Sequence, residues 1–108
     1  MIVRDAYTAI ADPTRREILT LLRDEGTLAA GAIAARFPGS ARPGISRHLR
    51  ILKECGVVRC TRDGRRLRYT LDPKPLRDIK DGWLAEFSRR QVESLSDLRR
   101  RVETDDTA

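Results

Sequence analysis

Residues 43–71 read PGISRHLRILKECGVVRCTRDGRRLRYTL, and this stretch decides the fold. In its first half apolar residues recur at helical spacing from Ile45 to Cys55, and Gly56 then supplies a C-terminal stop. In its second half apolar and polar residues alternate with a period of two, which is typical of strands. The change of period predicts a helix over residues 43–55 followed by a β-hairpin.

The hairpin, over residues 58–71, is predicted to turn at Asp63-Gly64, a common sequence for two-residue turns. The cross-strand pairs expected from this turn are Arg62 with Arg65, Cys60 with Leu67, and Val58 with Tyr69. The arginines expected on the polar face and at the tip are Arg59, Arg62, Arg65, Arg66 and Arg68. The hairpin therefore combines an apolar face, suited to a core, with an arginine-rich outer surface.

Three helices are predicted before this stretch. The first runs from Arg4 to Ala11, and the second has Asp12 as its N-cap, Pro13 as its first residue and Gly26 as its end. The residues expected on one face of a third, Ala-rich helix are Leu28, Ile33 and Phe37, before a stop at Pro38-Gly39. The fold class predicted is mainly α with a β-hairpin wing, the winged helix-turn-helix arrangement.

A long helical pattern follows the hairpin, from Pro75 to about Val102. Its apolar stripe has no partner left in a monomer, so we expect it to pack against a second copy and the first helix, giving dimerisation through the terminal helices. The predicted dimer-interface residues are Tyr7, Leu76, Ile79, Trp83 and Phe87. The expected organisation is one domain over residues 1–102 with a disordered tail over residues 103–108.

The charge of the chain is concentrated in its centre. The 108 residues carry a net charge of +6, but the stretch from Arg36 to Arg68 holds ten basic and two acidic residues, or +8, and the remainder is −2. A charge run is usually only a solvated face. Because acids are not interleaved here, and because the run coincides with the predicted helix and hairpin, the pattern favours contact with nucleic acid.

The predicted helix has the width that the major groove of DNA accepts, and the hairpin tip would lie along the neighbouring backbone or enter the minor groove. The side chains of the helix that face away from its apolar stripe are chiefly Ser46, Arg47 and Arg50. At the hairpin tip the cations are Arg62, Arg65 and Arg66. The expected partner is therefore double-stranded DNA.

The sequence resembles the ArsR-type winged helix-turn-helix regulators, which are dimeric repressors. The resemblance lies in three segments, which read ADPTRR (residues 11–16), ISRHLRIL (residues 45–52) followed by GVV (residues 56–58), and DGRR (residues 63–66) with Tyr69. It implies that residues 40–50 read DNA, that the hairpin is the wing and that the terminal helices form the dimer. With both lines of reasoning combined, the predicted DNA-binding residues are Ser40, Arg42, Ser46, Arg47, His48, Arg50, Arg62, Arg65 and Arg66.

Many members of that family sense metals through a cysteine pair or through His and carboxylate ligands on the last helix. This sequence has Ala29 to Ala35 at the first place and no His at the second, so no metal site and no cofactor are expected. His48 is the only histidine and is predicted to be a half-buried packing residue that contacts a phosphate. The sequence names no small-molecule effector.

The sequence also bears on three other functions. An enzyme is not expected, because no nucleophile with a base, carboxylate pair in a cleft or Gly-rich phosphate loop is evident. A winged helix can also serve as a protein-interaction module. A redox-sensing repressor would use Cys55 and Cys60, although both fall on predicted inward faces. Neither a signal peptide nor a membrane-spanning run is evident, so a cytoplasmic location is expected.

Overall fold

The computed structural model of the chain describes residues 5–39 and 42–87. The chain divides into two compact units, Met1–Arg77 and Asp78–Ala108. The single domain expected over residues 1–102 stays a prediction. Within the described part of the chain, no helix combines the length and the apolar character that crossing a membrane requires.

The structure is mainly helical with a small antiparallel sheet, and the predicted winged helix-turn-helix class is confirmed. The elements in chain order are α1 (Ala6–Ile10), α2 (Pro13–Glu25), β1 (Leu28–Ala29), α3 (Ala30–Ala35), α4 (Arg42–Glu54), β2 (Val58–Asp63), β3 (Arg66–Leu71) and α5 (Lys74–Asp81), followed by a 3₁₀ turn over Leu84–Glu86. The helix-turn-helix therefore lies in the first unit, with β2 and β3 as its wing.

Helix α2 begins and ends where its sequence predicts. A carboxylate oxygen of Asp12 accepts a hydrogen bond from the backbone N–H of Arg15 at 3.0 Å, and Pro13 occupies the first turn, where its missing N–H costs nothing. Gly26 ends the helix with a φ of 80°, and its N–H donates to the carbonyl of Leu22. Since these signals are local, they determine the bounds of α2 without help from packing.

Loss of this N-cap is expected to destabilise the domain measurably. Asp12→Ala leaves the N–H of Arg15 without its partner and should lower the free energy of unfolding by about 1 kcal/mol in urea denaturation. Asp12→Asn is the matched control, because asparagine caps equally well, and it should stay close to the wild type. Equal stability of all three proteins would contradict a capping role.

The capping contribution should also depend on pH. Burial of the Asp12 carboxyl raises its pKa, but the hydrogen bond from the Arg15 backbone and the charge of His48 outweigh this, and the pKa lies below its usual range. A carboxyl with a lowered pKa in the folded state contributes fully above its unfolded pKa, about 3.9, and loses its contribution as the pH falls through the folded value. The difference between wild type and Asp12→Ala should therefore shrink in acid.

The third predicted helix is shorter than expected, because its first residues form a strand. Leu28 pairs with Tyr69 and Ala29 with Arg68, so the wing is part of a three-stranded sheet in the order β1-β3-β2. The placement of Leu28 on the face of a helix is wrong, since α3 begins only at Ala30. The pairing uses an edge of β3 that β2 leaves open, and a strand of two residues is too short to show a period of its own.

The hairpin turns one residue later than predicted, at Gly64-Arg65. The observed pairs are Val58 with Leu71, Cys60 with Tyr69, Arg62 with Leu67 and Asp63 with Arg66, and the predicted pairs are wrong by two residues. Gly64 has a φ of 63°, and only glycines among the described residues have positive φ. A two-residue turn with positive φ at its first position alone prefers glycine there, whereas a turn at Asp63-Gly64 would force Asp63 into that conformation.

The core of the first unit lies between the helices and the base of the wing. Helix α4 packs against α2, α3 and β2. The largest side chains with almost no exposed surface are Ile18, Leu22, Ile33, Ile45, Leu49, Leu52 and Val57. Gly56, with a φ of 77°, ends α4 as predicted and lets the N–H of Val57 return to the carbonyl of Leu52 at 3.2 Å. This packing determines which side of α4 faces outward.

The structure corrects the prediction of one continuous helix from Pro75 to Val102. Helix α5 ends at Asp81, and the N–H of Gly82 makes a last bond to the carbonyl of Asp78 at 2.9 Å. Glycine is a weak helix former, so a stop here needs no other cause. The continuation of that helix over residues 88–102 and the tail over residues 103–108 lie outside the described residues.

Candidate nucleic-acid interface

Helix α4 separates an apolar from a polar face. Ile45, Leu49 and Leu52 are buried, and the side chains exposed on the other side include Ser46, Arg47, Arg50 and Lys53. Glu54, the last residue of α4, is also exposed, and the buried set anchors the helix to the core. The arrangement holds the two arginines outward on a rigid element, which is what a helix that reads a groove requires.

The wing adds three exposed arginines at its tip. Arg65 lies in the turn itself, Arg66 opens β3 and Arg62 stands opposite Leu67 near the end of β2. All three side chains are exposed. A β-ribbon that carries cations at its tip can lie along a phosphate backbone next to the groove that a helix occupies.

Ion pairing separates the predicted DNA-binding arginines from other arginines of the central stretch. The pairs are Arg36 with Glu25 at 2.6 Å, Arg59 with Asp72 at 3.3 Å and Arg68 with Asp63 at 3.2 Å. In the central stretch, the exposed arginines that form no ion pair with any described residue are Arg47, Arg50, Arg62, Arg65 and Arg66. Because no acid of the described chain neutralises these five, they are the cations available to phosphate.

The segment that leads into α4 is only partly described. Arg42 is the first residue of α4, but its side chain lies outside what the structure describes, and so does Ser40 as a whole. Their predicted DNA contacts stay predictions.

One ring nitrogen of His48, Nδ1, faces the N-terminal end of α2. Its Nδ1 lies 3.5 Å from Nη1 of Arg15 and 3.8 Å from a carboxylate oxygen of Asp12, and 24% of the side chain is exposed. The half-buried position agrees with the sequence prediction, but the two α2 partners were not foreseen. Whether His48 also contacts DNA stays a prediction.

Sequence reasoning missed the role of Arg15 and Arg16. Arg15 donates from Nε to the carbonyl of Ala9 at 3.2 Å and from Nη2 to the carbonyl of Thr8 at 2.9 Å, and Arg16 donates to the carbonyl of Ile10 at 2.7 Å. These carbonyls belong to the last turn of α1, where backbone partners run out, although that of Thr8 also accepts from the N–H of the C-cap residue Ala11 at 3.3 Å. The sequence feature that could have predicted these contacts is a pair of arginines about one turn after the end of a helix. In the charge count these two arginines were treated only as positive charges.

The cysteines lie on the inner side of the domain. Cys55 is buried and Cys60 half-buried, and both are free thiols. Burial, together with hydrogen bonding to Cys60, raises the pKa of Tyr69 to about 12. Among the described residues there is no cluster of His, Cys, Asp or Glu that could hold a metal ion.

Exposure divides the predicted dimer residues. Tyr7, Trp83 and Phe87 are 46%, 49% and 52% exposed, which is unusual for large apolar side chains. The rings of Trp83 and Phe87 meet edge to face at 4.9 Å. Ile79 is already buried and Leu76 half-buried, so these two offer little surface to a second chain. The interface itself stays a prediction.

Comparison with known proteins places this geometry among DNA-binding regulators. Residues 10–61 match a family model described as a helix-turn-helix domain. The transcriptional repressor SdpR of Bacillus subtilis (strain 168) is 40% identical over 85 residues, which cover 79% of this chain and 91% of SdpR.

Two solved structures of similar fold cover most of the chain. A possible transcriptional regulator for arsenical resistance superposes with a TM-score of 0.73 at 35% identity, over 88% of this chain and 97% of the other. An ArsR-like transcriptional regulator from Rhodococcus sp. RHA1 superposes with a TM-score of 0.68 at 30% identity, over 91% and 87% of the two chains.

Proposed function

This chain belongs to the ArsR family of helix-turn-helix transcriptional regulators, a family of DNA-binding repressors, and on that premise we propose that it acts as a homodimer on an inverted-repeat operator. The observation that carries the proposal is the set of exposed, unpaired arginines on α4 and the wing tip. In the proposed complex α4 enters the major groove, where Arg47, Arg50 and Ser46 meet base edges and phosphates. Arg62, Arg65 and Arg66 contact the adjacent backbone or minor groove.

A dimer would place two copies of α4 on successive major grooves, about 34 Å apart along one face of the duplex. The exposed side chains of Tyr7, Trp83 and Phe87 support a second copy as the partner, because large exposed apolar residues are commonly covered in an assembly. Occupying the operator would block polymerase and so repress transcription. The proposed location is the cytoplasm, with the DNA.

Footprinting of the purified protein on the DNA upstream of its own coding sequence tests this function. We expect a protected site with two half-sites, and binding that falls steeply as salt rises, because arginine contacts release counterions from the phosphates. A winged helix that serves instead as a protein-interaction module would leave every duplex unprotected even in dilute buffer. A monomer at binding concentrations would contradict the dimeric part of the proposal.

Single substitutions on α4 should distinguish recognition of specific bases from nonspecific electrostatic attraction to DNA. Arg47→Ala or Arg50→Ala should weaken operator binding by about 1–3 kcal/mol if the guanidinium reads a base edge, and should weaken binding to unrelated DNA much less. Arg59→Ala is the matched control, because Asp72 already neutralises this arginine. Titration of each variant with operator and scrambled duplex gives the comparison, and an unchanged specificity ratio for both α4 variants would contradict base reading by these residues.

A further inference from the structure

Three helices meet at the side chain of Arg15. Its Nε and Nη2 bind the carbonyls of Ala9 and Thr8 at the end of α1, and its Nη1 approaches Nδ1 of His48 on α4. The backbone N–H of Arg15 is itself held by the carboxylate of Asp12, the N-cap of α2. A guanidinium bound on two sides to a helix end has little freedom, so it is a rigid reference point for the ring of His48.

The chemistry of arginine decides which nitrogen of His48 carries the proton. A guanidinium has only donors and stays protonated, so Nδ1 at 3.5 Å from Nη1 meets it as an acceptor. In the neutral ring the proton then resides on Nε2. The contact is long, and its main consequence is the choice of tautomer and ring orientation. The carboxylate of Asp12, 3.8 Å from the same Nδ1, is the competing partner and would favour a proton there.

Because Nδ1 faces Arg15 and Asp12, the Nε2–H group lies on the opposite side of the ring. His48 follows Arg47 in α4, and about a quarter of its side chain is exposed, so it lies at the border between the buried stripe and the outer face of that helix. A neutral N–H donor at such a border matches a phosphate oxygen of DNA that lies against α4.

We propose that Arg15 is a positioning residue that holds His48 as the Nε2–H tautomer despite the competing carboxylate of Asp12, and that this N–H donates to a DNA phosphate. The proposal rests on the proposed function, and it assigns to Arg15 a part in DNA binding that does not involve contact with DNA. The contact aligns α4 relative to the end of α1, because the same guanidinium binds both.

The tautomer can be measured without DNA. His48 is the single histidine of the chain, so its two ring nitrogens give unambiguous signals in long-range proton–nitrogen correlation spectra of labelled full-length protein. At a pH of about 8, where an ordinary imidazole is neutral, we expect the Nε2–H pattern in the wild type. In Arg15→Lys, which keeps the charge but loses Nη1, the pattern should shift towards a mixture of tautomers. A proton on Nδ1 in the wild type would overturn the proposal.

Two substitutions of His48 test whether its Nε2–H group donates a hydrogen bond to DNA. Glutamine reaches the position of Nε2 with a donor, whereas asparagine reaches only the position of Nδ1. His48→Asn should therefore bind the operator about tenfold more weakly and His48→Gln within about threefold of wild type, as expected for loss or retention of one hydrogen bond to a charged group. Because no charge is removed, the salt dependence should stay the same in both. Equal binding by wild type and His48→Asn would overturn the proposal.

A double-mutant cycle separates positioning from simple stabilisation by Arg15. Arg15→Lys should weaken binding about threefold in the wild-type background and not at all in the His48→Asn background, because its effect passes through the ring. An equal loss in both backgrounds would show that Arg15 acts only on stability, and would overturn its role as a positioning residue.

Failure of this inference differs from failure of the proposed function. If the wild type binds no duplex, the proposed function fails whatever the tautomer. If the operator is bound and Arg50→Ala weakens it while His48→Asn does not, only the present inference fails.

Discussion

Replacing Arg62, Arg65 and Arg66 together by alanine is expected to lower operator affinity at least about a hundredfold at low salt. Each lost contact between an arginine and a phosphate should cost about 1 kcal/mol or more, and 1.4 kcal/mol corresponds to a factor of ten in affinity. The three side chains are exposed and have no ion pair within the described part of the chain, so their removal leaves the fold intact.

The salt dependence of DNA affinity distinguishes the loss of phosphate contacts from other causes of weaker binding by the wing variant. The slope of log affinity against log salt should become shallower by about 0.9 for each lost contact, or about 2.7 per subunit. Affinity falls for operator and unrelated DNA alike, because contacts with the backbone carry no sequence information. Fluorescence anisotropy over a series of salt concentrations measures both quantities.

The chain offers a control of equal charge for this wing variant. A triple variant Arg36→Ala, Arg59→Ala and Arg68→Ala also removes three positive charges from the central stretch, but each of these arginines is already paired with an acid. The control should change the slope much less than the wing variant. If the two triple variants lose slope equally, net charge rather than the position of the wing arginines governs binding.

Leu52→Ala is expected to have the largest effect on stability, a loss of about 2–5 kcal/mol in the free energy of unfolding. Leu52 has no exposed surface and lies in α4, which packs against α2, α3 and β2. The substitution leaves a cavity that these elements cannot all close. Since small domains are stable by only about 5–15 kcal/mol, such a loss removes a large part of the total.

Urea denaturation followed by circular dichroism checks this expectation, and Lys53→Ala is the adjacent control. Lys53 is exposed on the opposite side of α4, so its substitution should change stability by no more than about 0.5 kcal/mol. DNA binding by Leu52→Ala should fall in proportion to the unfolded fraction, with an unchanged salt slope for the folded protein. A loss below about 1 kcal/mol would mean that the α4 packing is looser than the structure shows.

The accuracy of the sequence predictions followed how local their signals were. Helix α2 was bounded correctly because Asp12, Pro13 and Gly26 act on the backbone next to them. The outward face of α4 was predicted from the spacing of Ile45 and Leu49, since a stripe of apolar residues leaves only one polar side. The register of the wing was wrong because the choice between two adjacent turn positions rests on a small difference in backbone strain at Asp63 and Gly64.

By itself the sequence determined the helix-turn-helix, the wing and the segregation of positive charge, because periodicity, caps and charge counts are properties of neighbouring residues. Only the tertiary structure decided that Leu28 joins the sheet, which of the arginines are neutralised by acids, and that Arg15 links α1 to His48. Each of these depends on groups distant along the chain, whose meeting is set by packing. An arginine in a sequence carries the same charge everywhere, and the acids and carbonyls that the fold brings to it decide whether DNA can bind it.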